Sequence, residues 1–139
     1  MDLERPVPVP DEVSAPFWDA CNEGRLIVQS CDPCEWLQYP PAKTCTECDS
    51  ADNLSWREVS GRGTINGYIV IHDSRLRVWV PVQPYNVAVV ELEEDPTINF
   101  FSNLPGTAPD EVPVGSKVEV EFISVSDTQK IPEWRVVEG

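Results

Sequence analysis

Cys31-Asp32-Pro33-Cys34, ten further residues, and then Cys45-Thr46-Glu47-Cys48 form the stretch on which the fold turns. Two residues between paired cysteines let the backbone turn so that both thiolates reach one ion at about 2.3 Å, and a second pair completes a tetrahedron. The doubled C-x2-C pattern is a much stronger signal than a single pair. Two disulfides, or four unconnected buried cysteines, are the competing readings, and a reducing compartment speaks against the first. The pattern therefore predicts a metal site with Cys31, Cys34, Cys45 and Cys48 as ligands. Zinc is favoured over iron, because redox use would call for a partner surface that the sequence does not advertise. A closed four-thiolate zinc ion has no open coordination position, which makes it structural rather than catalytic. Glycine often follows the second cysteine of such a knuckle, but Glu35 and Asp49 stand there. That substitution predicts strained turns and adds negative charge beside the thiolates.

On the N-terminal side, Arg25–Gln29 reads as a strand leading into the first pair, and 35–39 as its antiparallel return, stopped by Pro40-Pro41. Farther out, residues 14–24 read as a helix of about two to three turns. Ser14 is the expected cap, Pro16 is tolerated in the first turn, and Gly24 closes the helix. Cys21 on this helix reads as a small buried apolar residue rather than a ligand. The first ten residues alternate Pro6, Pro8 and Pro10 with valines and form an extended arm. On the C-terminal side, strands are expected at 54–59, 64–72, 86–92, 97–102, 117–123 and 133–137, with a turn or bulge at Ser60-Gly61-Arg62-Gly63. The expected architecture is mainly β: an arm and helix over 1–24, a four-cysteine ribbon over 25–53, and a five-stranded OB-type Greek-key barrel over 54–139. An open antiparallel sheet is the alternative to the barrel.

Composition narrows the function. The 139 residues are 41% hydrophobic and 9% aromatic, as expected of a globular chain. Apolar runs such as Val87–Val90 are far too short to cross a bilayer, and the N-terminus lacks a signal-peptide pattern, so a soluble cytoplasmic protein is expected. Ten basic residues against 24 acidic ones give a net charge of −14, a balance that should repel a phosphate backbone. Arg57, Arg62, Arg75 and Arg77 offer at most a local basic patch. Trp56, Tyr68, Trp79 and Phe100 could stack bases on a barrel of this type, although packing explains aromatics equally well. His72 is the single histidine and adjoins Asp73, yet a strand-end histidine is usually structural. No phosphate loop, dinucleotide fingerprint or Gly-x-Ser-x-Gly motif occurs. A short helix must dock on something, and the loop Arg75–Val82 is apolar for a turn. Phe17, Trp18 and Trp79 are accordingly expected at a partner contact.

The order of these features resembles a known family. Pro16–Cys21 (PFWDAC), the double Cys-x-x-Cys with Pro40-Pro41 between, Trp56–Thr64 (WREVSGRGT), Tyr85–Glu91 (YNVAVVE), Ser102-Asn103-Leu104 and Val114-Gly115 recur in that order. They are similar to the family of rubredoxin-like zinc ribbons joined to OB-folds, once labelled a domain of unknown function, that accompanies thiolase-like enzymes. The resemblance spans about Val13 to Arg135. It implies a non-catalytic subunit in a heteromer with a thiolase-like catalytic subunit acting on acyl-CoA thioesters. The partner would be an acyltransferase or thiolase, or a retro-aldol lyase of steroid-type side chains, and the acyl-CoA site would be shared with it. It also implies that the four cysteines are the metal ligands, and it supplies no catalytic residue. Two other function classes stand against it, a single-stranded nucleic-acid-binding module and a rubredoxin-like electron carrier.

Overall fold

The structure, a computed structural model, describes residues 5–137. This span begins with the proline arm, which carries no regular secondary structure through Asp11. Helix α1 (Ala15–Asn22) follows. Its entry differs from the expected cap. Ser14 already has helical dihedrals, and its side chain turns backward: Asp11 Oδ1 accepts from the Ser14 N–H at 2.7 Å, and Ser14 Oγ accepts from the Asp11 N–H at 3.1 Å. The exit is as expected, with Gly24 at φ 74° and its N–H donating to the Cys21 carbonyl.

Strands β1 (Ile27–Cys31), β2 (Trp36–Gln38) and β3 (Leu54–Glu58) form one antiparallel sheet in the order β2-β1-β3. The strand anticipated near 54–59 thus pairs with the ribbon's first strand, Gln29 opposite Trp56, and the Val59 N–H extends the ladder to the Leu26 carbonyl. Beyond it lie β4 (Arg62–Ile71), a 3-10 turn at Val80–Val82, β5 (Tyr85–Leu92), β6 (Asn99–Ser102), β7 (Lys117–Ser124) and β8 (Lys130–Val136). These five strands make a second antiparallel sheet in the order β6-β5-β4-β7-β8. The sheet curls until its two ends almost meet, as in an OB barrel. The gap is bridged by side chains: Ser102 Oγ on β6 accepts from the Trp134 N–H at 2.9 Å and donates to Glu133 Oε2 at 2.7 Å. The fold is the expected one, mainly β with one short helix, a four-cysteine cluster and a nearly closed five-stranded barrel.

Period-two alternation explains the interior. On β5, Asn86, Ala88, Val90 and Leu92 are buried while the residues between them are only half covered. The barrel core gathers Ile65, Val90, Leu92, Leu104, Val118 and Trp134, each no more than 1% exposed. A chain of aromatic contacts ties helix, ribbon and barrel together. Phe17 meets Tyr39 at 5.3 Å between centroids, Tyr39 meets Phe100 at 4.2 Å, and Phe100 meets Trp134 at 5.6 Å. Two main-chain anchors fix the helix against β8: the Lys130 N–H donates to Asn22 Oδ1 at 2.8 Å, and Gln129 Nε2 donates to the Trp18 carbonyl at 3.3 Å.

Candidate metal centre and apolar groove

The two knuckles bring Cys31, Cys34, Cys45 and Cys48 together, with all four sulfurs within 4.8 Å of one another. Cys31 and Cys48 Sγ lie 3.6 Å apart, as do Cys34 and Cys45 Sγ. A tetrahedron of thiolates at about 2.3 Å from an ion has edges of roughly 3.8 Å, so the cluster fits a tetrahedral thiolate-binding ion. Backbone amides aim at the same sulfurs. The Glu47 N–H donates to Cys45 Sγ at 3.4 Å.

These surroundings divide the thiols electrostatically. Burial pushes Cys31 up to about 12 and raises Cys34 as well. Burial also opposes charge on Cys45, but the N–H groups of Cys48 and Glu47 outweigh it and bring this thiol down to about 7. A bound cation deprotonates coordinating thiols outright. Cys21 lies apart from them on α1, fully buried, and burial drives its pKa up to about 12, the condition of an inert core thiol.

Both residues that replace the knuckle glycines take the left-handed conformation, Glu35 at φ 55° and Asp49 at φ 62°. A second support escaped sequence reasoning. Gln29 and Gln38 are each 6% exposed. Gln29 makes a reciprocal pair with the Ala42 backbone, donating to its carbonyl at 2.9 Å and accepting from its N–H at 2.8 Å. Gln38 donates to the Thr44 carbonyl at 3.1 Å and accepts from the Thr46 N–H at 2.9 Å. The pair thereby grips the segment that delivers Cys45. Two glutamines in strands read as surface residues. Their opposition across one hairpin was the available signal.

A second concavity, of about 670 Å³, opens between α1, β5, β6, β8 and the loop bearing Trp79. Its walls include Trp18, Tyr39, Trp79, Tyr85, Phe100 and Phe101. Glu133 supplies a carboxylate that is almost wholly buried, held by Ser102 Oγ and by the Asn103 N–H at 3.1 Å.

Comparison with known proteins now fixes the family. Residues 18–55 match the ChsH2 rubredoxin-like zinc ribbon domain, and residues 56–122 match the ChsH2 C-terminal OB-fold domain. A "DUF35 domain-containing scaffold protein" of Methanothermobacter thermautotrophicus is 32% identical over 102 residues, covering 73% of this chain and 74% of that protein. The chain belongs to the ChsH2 (DUF35) family. A solved chain of the "Ltp2-ChsH2(DUF35) aldolase" is 31% identical with a TM-score of 0.80, covering 93% of this chain and 98% of the other. A "Probable enoyl-CoA hydratase alpha subunit" of Thermomonospora curvata is 32% identical over 133 residues, or 94% of this chain. The present chain spans only 40% of that relative's length. A DUF35-family structure from Sulfolobus solfataricus, at 16% identity and a TM-score of 0.59, shares the fold.

Within this ChsH2-family chain the three expected partner contacts separate. Phe17 is 2% exposed; its ring packs edge-on against Trp18 at 5.0 Å and against Tyr39, so it belongs to the core and has no surface to offer. Trp18 and Trp79 are half-buried walls of the groove. Phe100, weighed as a stacking residue, faces the barrel core. The four arginines are dispersed: Arg57 lies on β3, Arg62 pairs with Glu93 at 3.0 Å, and Arg75 and Arg77 are exposed in the loop after β4. His72 is exposed at the end of β4. No helix among the described residues is long and apolar enough to cross a membrane.

Proposed function

We propose that this chain is a non-catalytic accessory subunit of a thiolase-superfamily enzyme acting on acyl-CoA thioesters. It stabilises the catalytic subunit and helps to form the acyl-CoA site. The observation that carries this reading is the end-to-end similarity to the ChsH2(DUF35) chain of an aldolase whose name pairs it with a second protein, Ltp2. The curated relatives named as a scaffold and as the alpha subunit of an enoyl-CoA hydratase support the same role. Among the possible reactions, the aldolase relative favours a retro-aldol lyase over an acyltransferase or thiolase.

The surface supports a heteromer. Outward-facing positions of β4, β5 and β6, which a solvated barrel fills with polar groups, carry Ile69, Val87, Val89 and Phe101. Ile69 and Phe101 are 60% and 72% exposed. Ile69 stands opposite Val87 and Val89 opposite Phe101 in the ladder, which makes the patch continuous. A contiguous apolar patch of this kind marks a protein interface. In this proposal Trp18 and Trp79 lie at its margin on the same side of the barrel. Cys31, Cys34, Cys45 and Cys48 hold a structural zinc ion that stands in for the ribbon's missing core. Zinc is preferred to iron because the site matches a ribbon described as a zinc ribbon.

Co-expression with a thiolase-like catalytic subunit tests the reading. A stable complex should form, and Phe101→Asp should disrupt it while leaving this chain folded, since that ring makes little use of its own core. A catalytic subunit that ignores this chain would remove the proposal. Elemental analysis of the purified complex should return zinc at one ion per chain. A coloured, redox-active iron protein would favour the electron-carrier reading instead.

A further inference from the structure

The groove is already partly filled by the chain itself. Arg5, Pro6, Val7 and Pro8 line it together with the aromatic walls. Arg5 Nη1 donates to Glu133 Oε1, and its guanidinium lies 5.4 Å from the centre of the Trp79 ring. Trp79 is in turn backed by Tyr85 at 4.7 Å.

Each part has a physical reason. The Glu133 side chain is 4% exposed, and a carboxylate so deeply buried requires a cation as well as hydrogen bonds. Its two neutral donors, Ser102 Oγ and the Asn103 N–H, both serve Oε2. Oε1 is left for the guanidinium. Arginine suits the place better than lysine, because its planar group can meet the carboxylate and lie on an indole at once. Alternating prolines keep the arm extended before it docks, so little conformational freedom is lost on binding. Aromatic-lined grooves elsewhere recognise proline-rich segments for the same reason.

We propose that this groove is a recognition site for an arginine-led, proline-alternating segment, whose place the chain's own Arg5–Pro8 segment takes in cis. Glu133 and Trp79 read the guanidinium, and Trp18 and Phe101 bound the track of the residues that follow. The same chemistry presented in trans competes with the arm. The inference stands independently of the acyl-CoA reading.

The test uses the full chain carrying Arg5→Ala, which frees the guanidinium position, and the peptide acetyl-Arg-Pro-Val-Pro-Val-Pro-amide followed by tryptophan fluorescence. A peptide of the same composition with arginine moved to the last position has the same charge and controls for attraction to an acidic protein. The variant should bind the first peptide saturably, and about tenfold more tightly than the second, as befits a charge-assisted contact. The unmodified chain should bind the first peptide about tenfold more weakly than the variant, because its own arm competes. At large excess the peptide should still move the Trp79 indole resonance of the unmodified chain, a measurement that does not rely on the variant. Equal binding of the two peptides, or an indole resonance that never moves, would overturn the proposal.

Discussion

Gln29 and Gln38 face each other across the β1–β2 ladder, and Gln38 Nε2 donates to Gln29 Oε1 at 2.7 Å. This buried amide pair connects the strand that ends in Cys31 to the loop that delivers Cys45. It plays the part that carboxylates play behind metal-bound histidines, orienting ligands it does not touch. Gln38→Leu keeps the apolar bulk but leaves the Thr46 N–H and Thr44 carbonyl without their partner. Metal affinity should fall by about tenfold or more, read by competition with a chromophoric chelator. Unchanged affinity would show that the knuckle holds itself.

Glu35 and Asp49 occupy left-handed positions that suit glycine. A side chain there costs about 1 kcal/mol, more for glutamate than for aspartate, which tolerates the region better. Glu35→Gly should therefore raise the stability of the metal-loaded protein by up to about 1 kcal/mol, and Asp49→Gly by less. The midpoint of urea denaturation checks both. A loss of stability in Glu35→Gly would mean that its charge or contacts outweigh the backbone term.

Metal loading should release protons. Burial keeps Cys31 (about 12) protonated at neutral pH in the free site and raises Cys34, while Cys45, at about 7, is close to half ionised. Since the ion binds thiolates, lowering the pH adds protons that must be displaced, and apparent affinity falls. Competition titrations should show tighter binding at pH 8 than at pH 6, with proton release measurable in weak buffer. A flat profile would contradict thiolate ligation.

Gly63 is demanded by close approach rather than by dihedral. A Cβ there would lie 2.5 Å from the Glu91 carbonyl oxygen and 2.7 Å from Val90 Cγ1. Gly63→Ala should destabilise the barrel by about 1–3 kcal/mol through forced separation of β4 from β5. Thermal unfolding would reveal it, and a neutral effect would mean that the ladder yields more readily than its packing suggests.

What the sequence disclosed follows the range of the interactions. The four cysteines, the short helix and the succession of strands depend on local spacing and alternation, and these were legible. So was the strain at Glu35 and Asp49, because knuckle geometry itself asks for glycine. Other features depend on partners far along the chain. Arg5 meets Glu133 across 128 positions, and no local pattern links an arm arginine to a glutamate in an alternating strand. β8 begins at Lys130 rather than Glu133, because Pro132 reads as a breaker. Here it is tolerated in the terminal strand of the sheet, paired only with β7. Phe17 looked like a docking residue because its helix needs a partner. That partner is the chain's own ribbon and barrel.

Reconstitution decides whether this chain has the accessory role. The thiolase-like catalytic subunit would be prepared alone and together with this chain, and its solubility and its turnover of acyl-CoA thioesters compared. A stable heteromer should form, with activity that depends on this chain and is lost when the chain is withheld. A catalytic subunit that is fully soluble and active on its own would contradict it.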